Sequence, residues 1–99
     1  MASYYLTNKA IDDLTSIWNY TFFNWSEQQA DSYYGILIET FQEIANNPGF
    51  GKNYEGIVPN LFGFRVKRHI IFYRLISKNE VEIIRILHEN MDLKKRIKG

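Results

Sequence analysis

The stretch His69-Ile70-Ile71-Phe72-Tyr73-Arg74-Leu75-Ile76, a break at Ser77-Lys78-Asn79-Glu80, and then Val81-Glu82-Ile83-Ile84-Arg85-Ile86-Leu87-His88 decides the fold. Both runs are rich in β-branched and aromatic residues, which suit a pleated surface, and the polar break has turn composition. They predict a β-hairpin. Just upstream, Phe64-Arg65-Val66-Lys67-Arg68 alternates and adds a third antiparallel strand. A two-residue loop at Lys78-Asn79 sets Phe72 opposite Arg85, Tyr73 opposite Ile84, Arg74 opposite Ile83 and His69 opposite His88. In that register Arg74 and Arg85 are diagonal neighbours on a face shared with Ile70, Phe72, Val81, Ile83 and Leu87. A buried charge without a partner costs several kcal/mol. That face is therefore expected to be partly open, with guanidinium groups on an apolar floor suited to gripping a partner.

Towards the N-terminus the period changes to that of helices. Tyr4-Tyr5-Leu6-Thr7 reads as a short strand, and Thr7 or Asn8 can cap a helix with Ile11, Leu14, Ile17 and Trp18 on one face. This pattern weakens through Tyr20-Thr21-Phe22-Phe23-Asn24-Trp25. Ser26-Glu27-Gln28-Gln29 is a capping box for a second helix, whose Ala30, Tyr33, Tyr34, Leu37, Ile38, Phe41, Ile44 and Ala45 keep helical period. Asn46-Asn47-Pro48-Gly49 stops it. The short gap requires the two helices to run antiparallel. Residues 46–61 then read as a long loop, a kind of segment that is more often functional or mobile than ordinary. The expected fold is α+β: an N-terminal strand, an antiparallel helical hairpin packed on an antiparallel sheet of three to four strands, and a short basic C-terminal tail or helix.

Ninety-nine residues form one domain, 1–99, because chains divide only beyond about 250 residues. Sixteen per cent of the residues are aromatic, enough ring surface to fill a small core without disulfides, and there is no cysteine to form one. No secretory signal or membrane-spanning run is present, so a cytoplasmic protein is expected. The net charge of +1 conceals a division: residues 1–50 set Lys9 against six acids, a net of −5, and residues 51–99 carry a net of +6. Either one surface meets an anionic partner, or the acidic part folds over the basic part.

The candidate chemistry lies in the basic half. Facing imidazoles at His69 and His88 invite a metal, but two need a third ligand and no spacing supplies it, so none is expected. Cleaving RNA needs a base, an acid and cations for the phosphorane. His88, Arg65 and Arg85 are the residues for those roles, against the plainer reading in which His88 ends a strand and bonds locally. Arg65, Lys67, Arg68 and Arg74 suit phosphate, or equally a solvated edge that resists strand addition. Tyr33, Tyr34 and Phe41 have core spacing. No glycine-rich phosphate loop, nucleophile elbow or zinc signature occurs, and no cofactor is expected.

Gly63-Phe64-Arg65, the strand Ile71-Phe72-Tyr73-Arg74 and the ending Arg85-Ile86-Leu87-His88-Glu89-Asn90-Met91-Asp92 together resemble the ParE toxins of the RelE/ParE superfamily of bacterial type II toxin–antitoxin modules. Tyr5-Leu6-Thr7, Ala10, Asp13-Leu14, Ile17-Trp18 and the segment Phe41 to Pro48 are similar as well, so the resemblance spans nearly the whole chain. It implies a helical hairpin on an antiparallel sheet. It also implies a protein that poisons DNA gyrase by protein–protein contact, is neutralised by a ParD-like antitoxin in a hetero-oligomer, and needs no sequence-specific nucleic-acid contact. The residues implied for partner contact are Arg65, Arg68, Phe72, Arg74, Arg85, His88, Met91 and Asp92. RelE-type relatives instead cut mRNA on the ribosome with basic sheet residues and a Tyr or His near the C-terminus. Here the tail Leu93-Lys94-Lys95-Arg96-Ile97-Lys98-Gly99 has neither, which leaves His88 as the residue such a nuclease would use.

Overall fold

The computed structural model describes residues 2–98. Strand β1 (Ser3–Leu6) leads into helix α1 (Asn8–Asn24) and helix α2 (Glu27–Asn46); a 3₁₀ turn (Pro48–Phe50) and strand β2 (Lys52–Asn53) follow. Strands β3 (Phe62–Val66), β4 (His69–Ser77) and β5 (Glu80–His88) form the meander, and helix α3 (Leu93–Lys98) ends the chain. The caps read from the sequence are present. Thr7 accepts from the Ala10 amide and Ser26 from the Gln29 amide, each at 3.1 Å, satisfying amide donors that the first helical turn leaves without intrahelical partners. Where the apolar pattern weakens, α1 nevertheless continues to Asn24.

The sheet has five strands in the order β1-β5-β4-β3-β2. The N-terminal strand joins it parallel to β5, with Ser3 opposite Glu80 and Leu6 opposite Ile83, and every other pair is antiparallel. β3 and β4 are joined by a two-residue turn at Lys67-Arg68, with Val66 opposite His69.

The β4–β5 register corrects the one expected from the turn. His69 faces His88 and Phe72 faces Arg85 as expected, but Tyr73 faces Ile83 and Arg74 faces Glu82. Ile84 is an extra residue on β5 between Phe72 and Tyr73, a β-bulge, and Ile76 is a second extra residue on β4 that restores the count before the turn. Because side chains alternate with period two, the Ile84 bulge changes which residues share a face. Val81, Ile83 and Ile86 join Ile71 and Tyr73 beneath the helices, where Leu14, Leu37, Phe41 and Ile44 complete the core. Ile70, Phe72 and Leu87 lie on the opposite face.

That opposite face is covered rather than open. Tyr54, Ile57, Val58 and Leu61 pack over it from the long loop, and Leu93 and Ile97 of α3 pack beside them. The loop thus supplies a second small core and is not a structureless stretch. Gly63 lets Tyr54 approach: a Cβ there would stand 2.7 Å from the Tyr54 ring and 3.0 Å from Ile70. No described helix is long and apolar enough to cross a membrane.

Candidate interaction site

The two arginines expected to share a floor are separated and occupied. Arg74 is exposed at the sheet edge and its Nε donates to Glu82 at 2.7 Å. Arg85 is largely buried; its Nε and Nη2 donate to the two carboxylate oxygens of Asp13 at 2.8 and 3.0 Å, a bidentate pair. Its Nη1 donates to the Arg96 carbonyl at 3.1 Å, so one guanidinium ties α1 and α3 to β5. The Asp13 hydrogen bonds raise the Arg85 pKa further above its ordinary value. Phe72 is fully buried, with Tyr54 edge-on at 5.1 Å, and belongs to the core. Asp92 caps α3 by accepting from the Lys95 amide at 3.1 Å.

The remaining residues named from sequence gather at one end of the sheet. Glu89 pairs with both Arg65 and Arg68. His88 and Met91 stand next to His69, and the two imidazoles meet edge to face at 5.4 Å. His88 Nδ1 accepts from the Asn90 amide at 3.1 Å, so a neutral His88 carries its proton on Nε2. His69 Nδ1 and the Tyr33 hydroxyl are 2.8 Å apart, and Tyr33 also reaches the Val66 carbonyl at 3.2 Å. Burial first, and His88 second, lower the His69 pKa to about 4, so the ring is neutral near pH 7. Burial alone pushes the Tyr33 hydroxyl up to about 12.

Around these groups lies a cleft of about 500 Å³. The tip of the helical hairpin contributes Tyr20, Trp25 and Tyr33 with the neutral polar side chains of Thr21, Gln29 and Ser32, while the sheet contributes Lys67, Arg68, His69 and His88. A second cavity of about 440 Å³ shares Tyr20, Thr21 and both histidines and runs towards Ile17 and Met91. Trp18 fastens the hairpin by donating from Nε1 to Asp31 of α2 at 3.0 Å, and within α1 it stacks on Phe22 at 5.2 Å. Tyr20, Phe23 and Trp25 are exposed by 66, 79 and 69%, well above the usual state of large aromatics. The helical period assigned Tyr33 to the core and left Tyr20 and Trp25 without a role. The legible signal was the loss of a core-facing pattern from Tyr20 to Trp25 while the residues stayed aromatic.

A mixed sheet carrying an antiparallel helical hairpin on one face, with an ending that places His88 and Met91 beside that hairpin, defines a ParE-like toxin fold. The family described as "ParE toxin of type II toxin-antitoxin system, parDE" matches residues 4–93. Toxin ParE1 of Caulobacter vibrioides is 36% identical over 92 residues, covering 93% of this chain and 94% of the relative. Toxin ParE1 of Mycobacterium tuberculosis is 30% identical over 98 residues, 98% of this chain and 100% of the relative. A solved structure of the "Chromosomal ParDE TA system from P. aeruginosa" superposes with a TM-score of 0.75 at 23% identity, over 89% of this chain and 96% of that one. The chain belongs to the ParE toxin family of type II toxin–antitoxin systems.

Proposed function

We propose that this toxin poisons DNA gyrase by protein–protein contact, with no chemistry of its own, and that a ParD-like antitoxin neutralises it. The observation that carries the reading is the likeness to ParE toxins over nearly the full length of both chains. The P. aeruginosa structure that shares this fold is of a ParDE system, which supports a ParD-like partner. The state of the three nuclease candidates supports a binding role. Arg85 is held by Asp13, Arg65 by Glu89, and His88 Nδ1 by the Asn90 amide, so each has an intramolecular partner.

The antitoxin would lay an acidic amphipathic segment along the groove between the hairpin tip and the cationic end of the sheet, meeting Arg65, Arg68, His88 and Met91. This moves the electrostatic grip away from Arg74 and Arg85, each matched by a carboxylate of its own, to Arg65 and Arg68, which share the one carboxylate of Glu89. Purified protein added to gyrase and supercoiled DNA should block supercoiling or accumulate cleaved DNA. Cleaved transcripts in a translating extract, lost on His88→Ala and with gyrase unaffected, would replace this reading with a ribosome-dependent mRNA endonuclease.

A further inference from the structure

We propose that the cleft between the hairpin tip and the β3–β4 turn binds a nucleoside phosphate, with the base against Tyr20, Trp25 and Tyr33 and the phosphate at Lys67 and Arg68. The cleft, at about 500 Å³, has the size of a small-molecule site, for which roughly 300–1,000 Å³ is usual. Its rings offer flat surfaces on which a base stacks whatever its sequence. Beside the rings stand the side chains of Gln29 and Ser32, the Thr21 hydroxyl, which donates to the Ile17 carbonyl, and the imidazoles of His69 and His88, whose Nδ1 atoms meet the Tyr33 hydroxyl and the Asn90 amide. Gln29 and Ser32 can each both donate and accept, and the edge of a nucleobase carries donors and acceptors in one plane to meet them.

The charge is one-sided. Arg65, Lys67 and Arg68 gather at the β3–β4 turn against one carboxylate, Glu89, which leaves a cationic surplus at the cleft mouth. Lys67 occupies a backbone position with φ of 53°, where glycine is the relaxed choice and a side chain is strained. Its ammonium stands over the Tyr33 ring at 5.6 Å, directed at the cleft wall. The fold thus holds a long cation where the backbone alone favours none. This site stands apart from the proposed target; it touches the proposed function only because an antitoxin lying along the same groove would cover it.

The full chain is titrated by calorimetry with AMP, with adenosine and with a 5′-phosphorylated single-stranded tetranucleotide, and contacts are located by amide chemical shifts. AMP should bind at least about tenfold more tightly than adenosine, since the contacts with Lys67 and Arg68 are lost without the phosphate. Lys67→Gly, which relieves the backbone and should melt no lower than the parent, should bind AMP several-fold more weakly and prefer it over adenosine by less, with Arg68 as the remaining phosphate contact. Trp25→Ser, at an exposed position, should weaken both ligands about tenfold by removing a stacking surface. A tetranucleotide tighter than AMP assigns the site to a strand end, and one no tighter assigns it to a free nucleotide. No binding at millimolar AMP overturns the proposal, as does binding indifferent to both variants. So does a short acidic, tryptophan-bearing peptide that takes the cleft when AMP does not. AMP binding that survives in the toxin–antitoxin complex keeps the nucleotide site and removes only the antitoxin from this groove.

Discussion

Asp13 and Arg85, 72 residues apart, meet in a bidentate pair of 2.8 and 3.0 Å, and Asp13 also accepts the Ile86 amide at 2.9 Å. The parallel strand β1 pairs with β5 only as far as Ile83, so the helix takes over the edge of β5 beyond that point. Thr7 begins this with its hydroxyl on the Ile84 carbonyl at 2.8 Å, and Asp13 continues it at Ile86.

Removing one member of that pair should be far more damaging than removing the exposed arginine. Arg85 and Asp13 are each about 14% exposed, whereas Arg74 is 54% exposed. Arg85→Ala leaves a carboxylate among buried groups and should cost about 2–3 kcal/mol, while Arg74→Ala should cost under about 0.5 kcal/mol. Urea unfolding of the two variants measures both.

The Tyr73 hydroxyl should matter more than one hydrogen bond suggests. It donates to the Pro48 carbonyl at 2.6 Å and accepts from the Gly51 amide at 2.9 Å, so it fixes the start of the long loop to the sheet. Tyr73→Phe leaves both backbone groups without their partner and should cost about 1–3 kcal/mol by thermal or urea unfolding. Gly51→Ala should lose a similar amount, because a Cβ would collide with the same buried ring.

Stability should depend on pH through His69. Its folded pKa of about 4 lies below the ordinary 6.5, so between those values the unfolded chain binds a proton that the folded chain does not. The stabilisation is complete above pH 6.5 and is lost progressively as pH falls towards 4. For a half-buried ring screened by solvent it should amount to about 1–2 kcal/mol. The groups facing His69 are Tyr33, His88 and Asp13. His69→Gln should flatten the profile over that window in unfolding experiments, and titration of the His69 ring by NMR should give the low midpoint directly.

Phe23 should prove dispensable for folding. At 79% exposure its replacement by Ser should change stability by less than about 0.5 kcal/mol while weakening a partner that covers the hairpin tip. Equal melting temperatures with reduced affinity for antitoxin or gyrase, measured by calorimetry, is the expected result. Unchanged affinity for both would remove the tip from either interface.

The helices, their caps and the hairpin were legible because each rests on local chemistry: Thr7 and Ser26 as caps, a 3.6-residue apolar period, and a polar break at Lys78-Asn79. The site was legible only in part. His69 and His88 were correctly opposed because the two extra residues, Ile76 and Ile84, cancel between the turn and that end of the sheet. Between the bulges the count is off by one, and this misplaced Arg74 and Ile83. Nothing local in Ile83-Ile84-Arg85 marks Ile84 as the extra residue. The residues that follow it, Arg85 and Ile86, bind a partner far away in sequence, Asp13, which no local pattern reveals. The Arg68–Glu89 pair and the covering of the second sheet face are long-range in the same way.

The pairing of Ser3–Leu6 with Glu80–Ile83 also sets a schedule for synthesis. A growing chain makes α1 and α2 early from local contacts, but its first strand has no strand to pair with until β5, the last one, has left the ribosome. Until then the apolar undersides of both helices have no sheet to cover. The sheet that covers the helices is therefore completed only when β5 joins β1, which leaves the nascent chain open to proteases and to capture until late in its synthesis.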